Sequence, residues 1–153
     1  MSSKKILVLY YSGSGNTQRM AKAIAEAMKS STVNVTVETA EKLDISLLPS
    51  YDGIVLGSPT YFSNMSWQVK KVVDESIVHY RGGKLKGKVA GIFTSAGTRR
   101  DGKDCLKMLE IALGYHHGMK VVEGILRVDG ESDKEAEKSC QEYGKKLVEE
   151  IGK

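Results

Sequence analysis

Six small polar residues stand together near the start of the chain: Ser12, Gly13, Ser14, Gly15, Asn16 and Thr17. They follow the apolar run Ile6-Leu7-Val8-Leu9 and lead into a pattern with Met20, Ile24 and Met28 at helical spacing. A strand that passes through glycines into a helix offers unpaired backbone N–H groups and the positive end of the helix dipole, a combination that suits a phosphate. Ser12, Ser14, Asn16 and Thr17 add side-chain donors, and no lysine or arginine stands inside the loop. A P-loop would need G-x-x-x-x-G-K-[ST], whereas Gln18 and Arg19 follow here. A dinucleotide fingerprint would need a third glycine where Gln18 stands, although Glu38, at the end of the next strand-like segment, keeps that reading open. A loop that only caps the helix, through Ser14 or Asn16, explains one or two of the six residues.

Two further segments carry similar chemistry. Pro59, Thr60, Tyr61, Phe62, Ser63 and Asn64 come after Ile54-Val55-Leu56, and Ser95, Ala96, Gly97, Thr98, Arg99 and Arg100 come after the apolar run from Val89. Aromatic side chains at a strand end can stack on a planar ring, while hydroxyls and amides bond its heteroatoms. Trp67 as a core residue and Asn64 as a helix cap is an equally good reading of those two. A receiver domain needs acidic residues after its first strand, where this chain has Tyr10-Tyr11-Ser12, and a small tyrosine phosphatase needs a cysteine in the first loop, which has none. No side chain reads as catalytic and no set of residues as metal ligands. Cys105 and Cys140 lie on separate predicted helices without C-x-x-C spacing and read as packing or surface thiols.

The elements that must position these loops follow from hydrophobic pattern. The runs at Ile6, Ile54 and Val89 are near-continuous, as strands covered on both faces are. Val33, Val35 and Val37 alternate with polar residues, and the run from Val121 to Leu126 is broken by Glu123 and Gly124, so these two read as edge strands. Helical stripes lie between: Met20, Ile24 and Met28; Val69, Val72, Val73 and Ile77; Leu106, Leu109 and Leu113; Ala136, Cys140, Tyr143, Leu147 and Ile151. Only the segment from Glu41 to Ser50 shows little period. Strand and helix in alternation predict an α/β three-layer sandwich with a five-stranded parallel sheet in the order 2-1-3-4-5 and helices on both faces. All three polar segments then fall at the carboxyl ends of interior strands, around the switch point where such sheets bind ligands.

The 153 residues fit a single domain over 1–153, able to bury roughly two thirds of its unfolded surface. With 41% hydrophobic and 27% charged residues and only two prolines, disorder and low complexity are excluded. The net charge of +4 is spread and interleaved with acids, which argues against a nucleic-acid partner and leaves weak steering of an acidic redox partner. The first apolar run is too short for a signal segment or a membrane span, so a cytoplasmic protein is expected.

At the residues already quoted, the chain resembles the flavodoxin-like FMN proteins over essentially its whole length. The first loop is similar to the flavodoxin phosphate loop, and Tyr51 to Thr60 to the flavodoxin third strand; flavodoxin is itself the type example of the strand order above. Pro59 to Ser66 and His116-His117-Gly118-Met119 are similar to the NAD(P)H:quinone oxidoreductases of the WrbA type. The resemblance implies FMN as cofactor, its phosphate at residues 12–17, its ring bordered by Thr60 to Phe62 and its pyrimidine side held by Ser95 to Arg100. It implies electron transfer through the flavin, to a redox partner protein, or alternatively reduction of quinone by NAD(P)H. The long segment of WrbA-type enzymes before the last helix is absent, since Val128-Asp129-Gly130-Glu131 runs straight into it. No aromatic residue stands between Thr94 and Gly102, so one ring face is expected to be open to a nicotinamide, a quinone or a neighbouring subunit of a homo-oligomer. His116 reads as a helix C-terminal histidine ahead of the stop at Gly118.

Overall fold

The computed structural model describes residues 3–30 and 32–153. Its elements are β1 (Lys4–Tyr10), α1 (Asn16–Met28), β2 (Val33–Thr39), β3 (Gly53–Tyr61), β4 (Asn64–Met65), α2 (Trp67–Glu75), α3 (Ile77–Tyr80), β5 (Val89–Ala96), α4 (Arg99–Glu110), β6 (Lys120–Val121), β7 (Ile125–Val128) and α5 (Asp133–Ile151). The main sheet is parallel and runs β2-β1-β3-β5, with β6 and β7 both on the outer side of β5. The expected order holds for five strand positions, with two corrections to the count. Glu123 and Gly124 split the last strand into β6 and β7, and the two-residue β4 folds back antiparallel on β3.

Alternation along the strands builds two cores. Leu7, Leu9, Ile54, Leu56, Ala90 and Ile92 face Val69, Val72, Cys105 and Leu109 of α2 and α4. Ile6, Val8, Tyr10, Val55 and Phe93 face Met20, Ile24, Cys140, Tyr143 and Leu147 of α1 and α5. Each such fully buried aliphatic side chain is worth about 1.5–3 kcal/mol, so the sheet is fixed from both sides. Tyr143 adds a polar tie, donating to Val122 O and accepting from Ile92 N beside the strand split.

Several local expectations change. The aperiodic segment forms two 3₁₀ turns, Ala40–Lys42 and Ile45–Ser50, the second capped by Asp44, which accepts from Ser46 N. The second helical stripe does not reach Ile77: α2 ends at Glu75, Ile77 opens α3, and it is 63% exposed. The third stripe outlasts its α-helix, with Leu113 buried in a π-type turn over Ile111–His116. The stop expected at Gly118 is present, with φ 74°.

Candidate functional site

Because the strands are parallel, the segments after β1, β3 and β5 come out at one edge of the sheet. Side-chain contacts then tie them together. Thr17 Oγ1 lies 2.9 Å from Ser95 Oγ, both buried, linking the first loop to the third. Ser63 Oγ donates to Asp101 Oδ1 at 3.0 Å, linking the second to the start of α4. Tyr61 Oη occupies the space that a Cβ on Gly13 would need, linking the second loop to the first.

In the first loop the residues of the helix-capping alternative do not cap the helix. Neither Ser14 nor Asn16 caps α1; Ser12 Oγ accepts from Gly15 N at 3.1 Å and Gln18 N at 3.2 Å. Gly15 turns the chain with φ 103°, a conformation open to glycine at no steric cost. Ser12 thereby uses up only two donors. Among the described residues the N–H groups of Ser12, Gly13, Ser14, Asn16 and Thr17 are given no acceptor by the protein. Five amides around one helix N-terminus, at an exposed and half-buried rim, form a concave donor set for an anion. Of the side chains expected as donors, Thr17 is turned inward onto Ser95; Asn16 Oδ1 accepts from Arg19, and its Nδ2 group, like the exposed Ser14 hydroxyl, is given no partner among the described residues.

In the second segment Pro59 is buried in β3 beside Ser95 of β5, and Thr60 Oγ1 lies 2.7 Å from Thr94 Oγ1. Tyr61 and Asn64 close a two-residue turn at Phe62 and Ser63. Phe62 is 103% exposed. Trp67 does not enter the core, being 67% exposed, and Asn64 does not cap α2; Ser66 does, accepting from Val69 N.

In the third segment Ser95 and Ala96 belong to β5, and the amides given no acceptor among the described residues are those of Gly97, Thr98, Arg99 and Arg100. Thr98 caps α4 by accepting from Asp101 N at 3.2 Å. Arg99 and Arg100 are exposed on its first turn, and Arg100 approaches Asp101 at 3.5 Å. The site residue that sequence reasoning missed is Asp101. Hydrogen bonds from Ser63 and then Thr98, with Arg100 alongside, hold its carboxyl below the usual carboxylate range. The spacing Thr98-x-x-Asp101 follows a capping box and carried that signal.

Two donor sets on either side of a hairpin with exposed aromatic side chains suit a phosphate at one end and the carbonyls of a planar heterocycle at the other. The family model of NADPH-dependent FMN reductase matches residues 45–133, more than half of the chain. This chain belongs to that family. It is a flavodoxin-like FMN protein, and its sheet is that of the family's fold. An NAD(P)H dehydrogenase (quinone) of Rhizobium rhizogenes is 34% identical over 164 residues, covering 94% of this chain and 82% of that protein. A flavodoxin of Clostridium saccharobutylicum is 38% identical over 101 residues, 65% of this chain and 61% of that protein. The solved structure of a flavodoxin, WrbA-like protein from Agrobacterium tumefaciens superposes with a TM-score of 0.85 at 29% identity, covering 97% of this chain and 98% of that one. Among the described residues no helix of this flavodoxin-like protein is long and apolar enough to cross a membrane.

Proposed function

We propose that this chain is an electron carrier whose FMN is held at three places. Residues 12–17 take its phosphate, Thr60 to Asn64 border its ring, and Gly97 to Arg100 face its pyrimidine side. The observation that carries this reading is the run of five unpartnered amides at Ser12, Gly13, Ser14, Asn16 and Thr17, a set that fits a phosphate dianion without a basic side chain. FMN, when bound, supplies exchange of one or two electrons. The chain's own contribution is position and field. Tyr61 closes over the phosphate loop, the amides of Gly97 to Arg100 offer donors to ring carbonyls, and Arg99 and Arg100 place positive charge near the pyrimidine edge. Such charge favours the reduced, anionic form of the ring.

A second reading, reduction of quinone by NAD(P)H, is favoured by one observation: the relative matched over 94% of this chain bears that activity in its name. The carrier reading is favoured by the short connection from β7 to α5, residues 129–132, which leaves little material to wall a substrate site. The physiological partner is then an acidic redox protein, or NAD(P)H and a quinone. We place the protein in the cytoplasm, where its two unbridged thiols, Cys105 and Cys140, would stay reduced.

The test is an FMN fluorescence titration of the protein freed of flavin, followed by mixing the loaded protein with NADPH or NADH, with and without benzoquinone. Tight uptake with no sustained nucleotide oxidation is the expected result. Sustained turnover establishes the reductase instead, and no uptake of FMN removes both readings.

A further inference from the structure

The connection between β3 and β4 is a two-residue hairpin turn in which both residues are left-handed, Phe62 at φ 51° and Ser63 at φ 64°. This conformation matches the twist of the strands, but its usual occupants are Asn-Gly or Asp-Gly. An ordinary L-residue adopts it only against a steric clash of its Cβ. Phe62 gains nothing by burial in return, because its ring is fully exposed. Beyond the pairing of β3 with β4, one side-chain bond ties the turn to the rest of the fold. Ser63 Oγ donates to Asp101 Oδ1 at 3.0 Å, a bond spanning 38 positions. The carboxylate stands on a capped and packed helix start. Asp101 sits in the first turn of α4, its own N–H held by Thr98 Oγ1 at 3.2 Å, and Gly102 beneath it packs on Ala96 and Leu126, leaving a Cβ there only 3.1 Å from either. The strained turn is thus fastened to the anchored first turn of α4.

We propose that Asp101 is a positioning residue of the flavin site: through Ser63 its carboxylate holds the Phe62–Ser63 turn left-handed, and so sets where the Phe62 ring and the turn's peptide groups stand beside the cofactor. This rests on the reading that Thr60 to Asn64 border the ring. It adds a residue outside the three loops that touch the cofactor. Released from Asp101, the turn relaxes toward a form with negative φ at Phe62, and the exposed ring swings with it. A bond to an ionised acceptor is about twice as strong as a neutral one, enough to decide between two turn forms that lie close in energy.

The experiment compares wild type with Asp101→Ala, Ser63→Ala, the double variant and Asp101→Asn, in the full chain with and without FMN. The first readout is the intraresidue HN–Hα nuclear Overhauser effect at Phe62, which is strong only when φ is positive. The second is FMN affinity. Asp101→Ala and Ser63→Ala are expected each to lose the strong cross-peak and to bind FMN about tenfold more weakly, the scale of one charge-assisted hydrogen bond. The double variant is expected to be no weaker than either single one, and Asp101→Asn, whose amide oxygen still accepts from Ser63, to stay within about threefold of wild type. Should Asp101→Ala fail to fold, Ser63→Ala breaks the same bond from the exposed side and decides the matter. Unchanged cross-peaks and affinity in Ser63→Ala, or losses that simply add in the double variant, overturn the proposal. Wild type that binds no FMN sinks the parent reading and the flavin role with it, whereas wild-type uptake with unmoved variants sinks the latch alone.

Discussion

Thr17 on the first turn of α1 and Ser95 at the end of β5 share a buried hydrogen bond of 2.9 Å between their hydroxyls, 78 positions apart. It is the strut that sets the spacing between the phosphate loop and the third loop. Replacing Thr17 by Val keeps the shape and strands the Ser95 hydroxyl, at a cost of about 1–3 kcal/mol. In a chain of this size that lowers Tm by about 2–4 °C for each kcal/mol. Urea unfolding of Thr17→Val, Ser95→Ala and the double variant checks this: the double is expected to lose less than the sum, and strict additivity would argue that the two hydroxyls do not depend on each other.

Tyr61 Oη stands where a Cβ on Gly13 would go, and as the tip of a partly exposed side chain it must swing aside to admit one. Gly13→Ala is expected to weaken FMN binding by about tenfold or less, because the tyrosine and not the backbone gives way. Adding Tyr61→Phe removes the obstructing oxygen and is expected to restore part of the loss. The measurement is the same flavin titration, with circular dichroism to show that the fold is kept.

Arg99 and Arg100 lie exposed on the first turn of α4, the only cation–carboxylate contact of the pair among the described residues being that of Arg100 with Asp101. Replacing both by Gln is expected to move the flavin midpoint potential to more negative values, because the reduced ring loses nearby positive charge. The shift should shrink at high salt, since exposed charges are screened over about 8 Å at physiological ionic strength. An unchanged or higher potential would rule the electrostatic role out.

His117 is buried between α3 and the π-type turn, with Tyr80 edge-on at 6.0 Å. Ser76 Oγ donates to Val73 O at 2.6 Å, so the 2.9 Å bond between Ser76 and His117 is donated by the ring Nε2–H. Burial first, and then the neighbouring His79 and His116, hold the His117 pKa below its ordinary 6.5. The unfolded chain therefore takes up this proton at a higher pH than the folded one. The associated stability is fully present above about pH 6.5 and is lost as pH falls below it toward the folded pKa. Urea unfolding at pH 7.5, 6.5 and 5.5 is expected to show that decline, and His117→Gln, which keeps a donor for Ser76, to flatten it.

Burial pushes the Cys140 thiol up to about 12 and raises that of Cys105 as well. Neither is expected to react with a disulfide reagent at pH 8 in the folded protein, and both should react once denaturant is added. Reaction of one thiol in the native state would show that its helix opens locally.

Much of this molecule can be read without coordinates, because the signals are local. Buried parallel strands must be continuous apolar runs, as at Ile6, Ile54 and Val89, and the helix facing a sheet must repeat its apolar residues every three or four positions, as α5 does from Ala136 to Ile151. Once three interior strands are parallel, their polar exits are bound to meet at one edge, so the collection of Ser12 to Thr17, Pro59 to Asn64 and Ser95 to Arg100 followed from period and order alone. What departed from the pattern were places where a helix boundary overrode the apolar spacing. Ile77 has the spacing of a core residue but lies beyond the end of α2, and Trp67 has the chemistry of one but opens a helix whose cap, Ser66, leaves it facing outward.

Residue types and spacing thus determined the layers, the strand order and the polar loop ahead of α1, since each depends on the intrinsic shape and solvation of short segments. Tertiary structure alone decided that Tyr61 would lie on Gly13, that Ser95 would turn to Thr17 and that Asp101 would reach Ser63. Those choices are made by pairs of groups 38 to 78 positions apart, which meet only once the sheet has closed the distance between them.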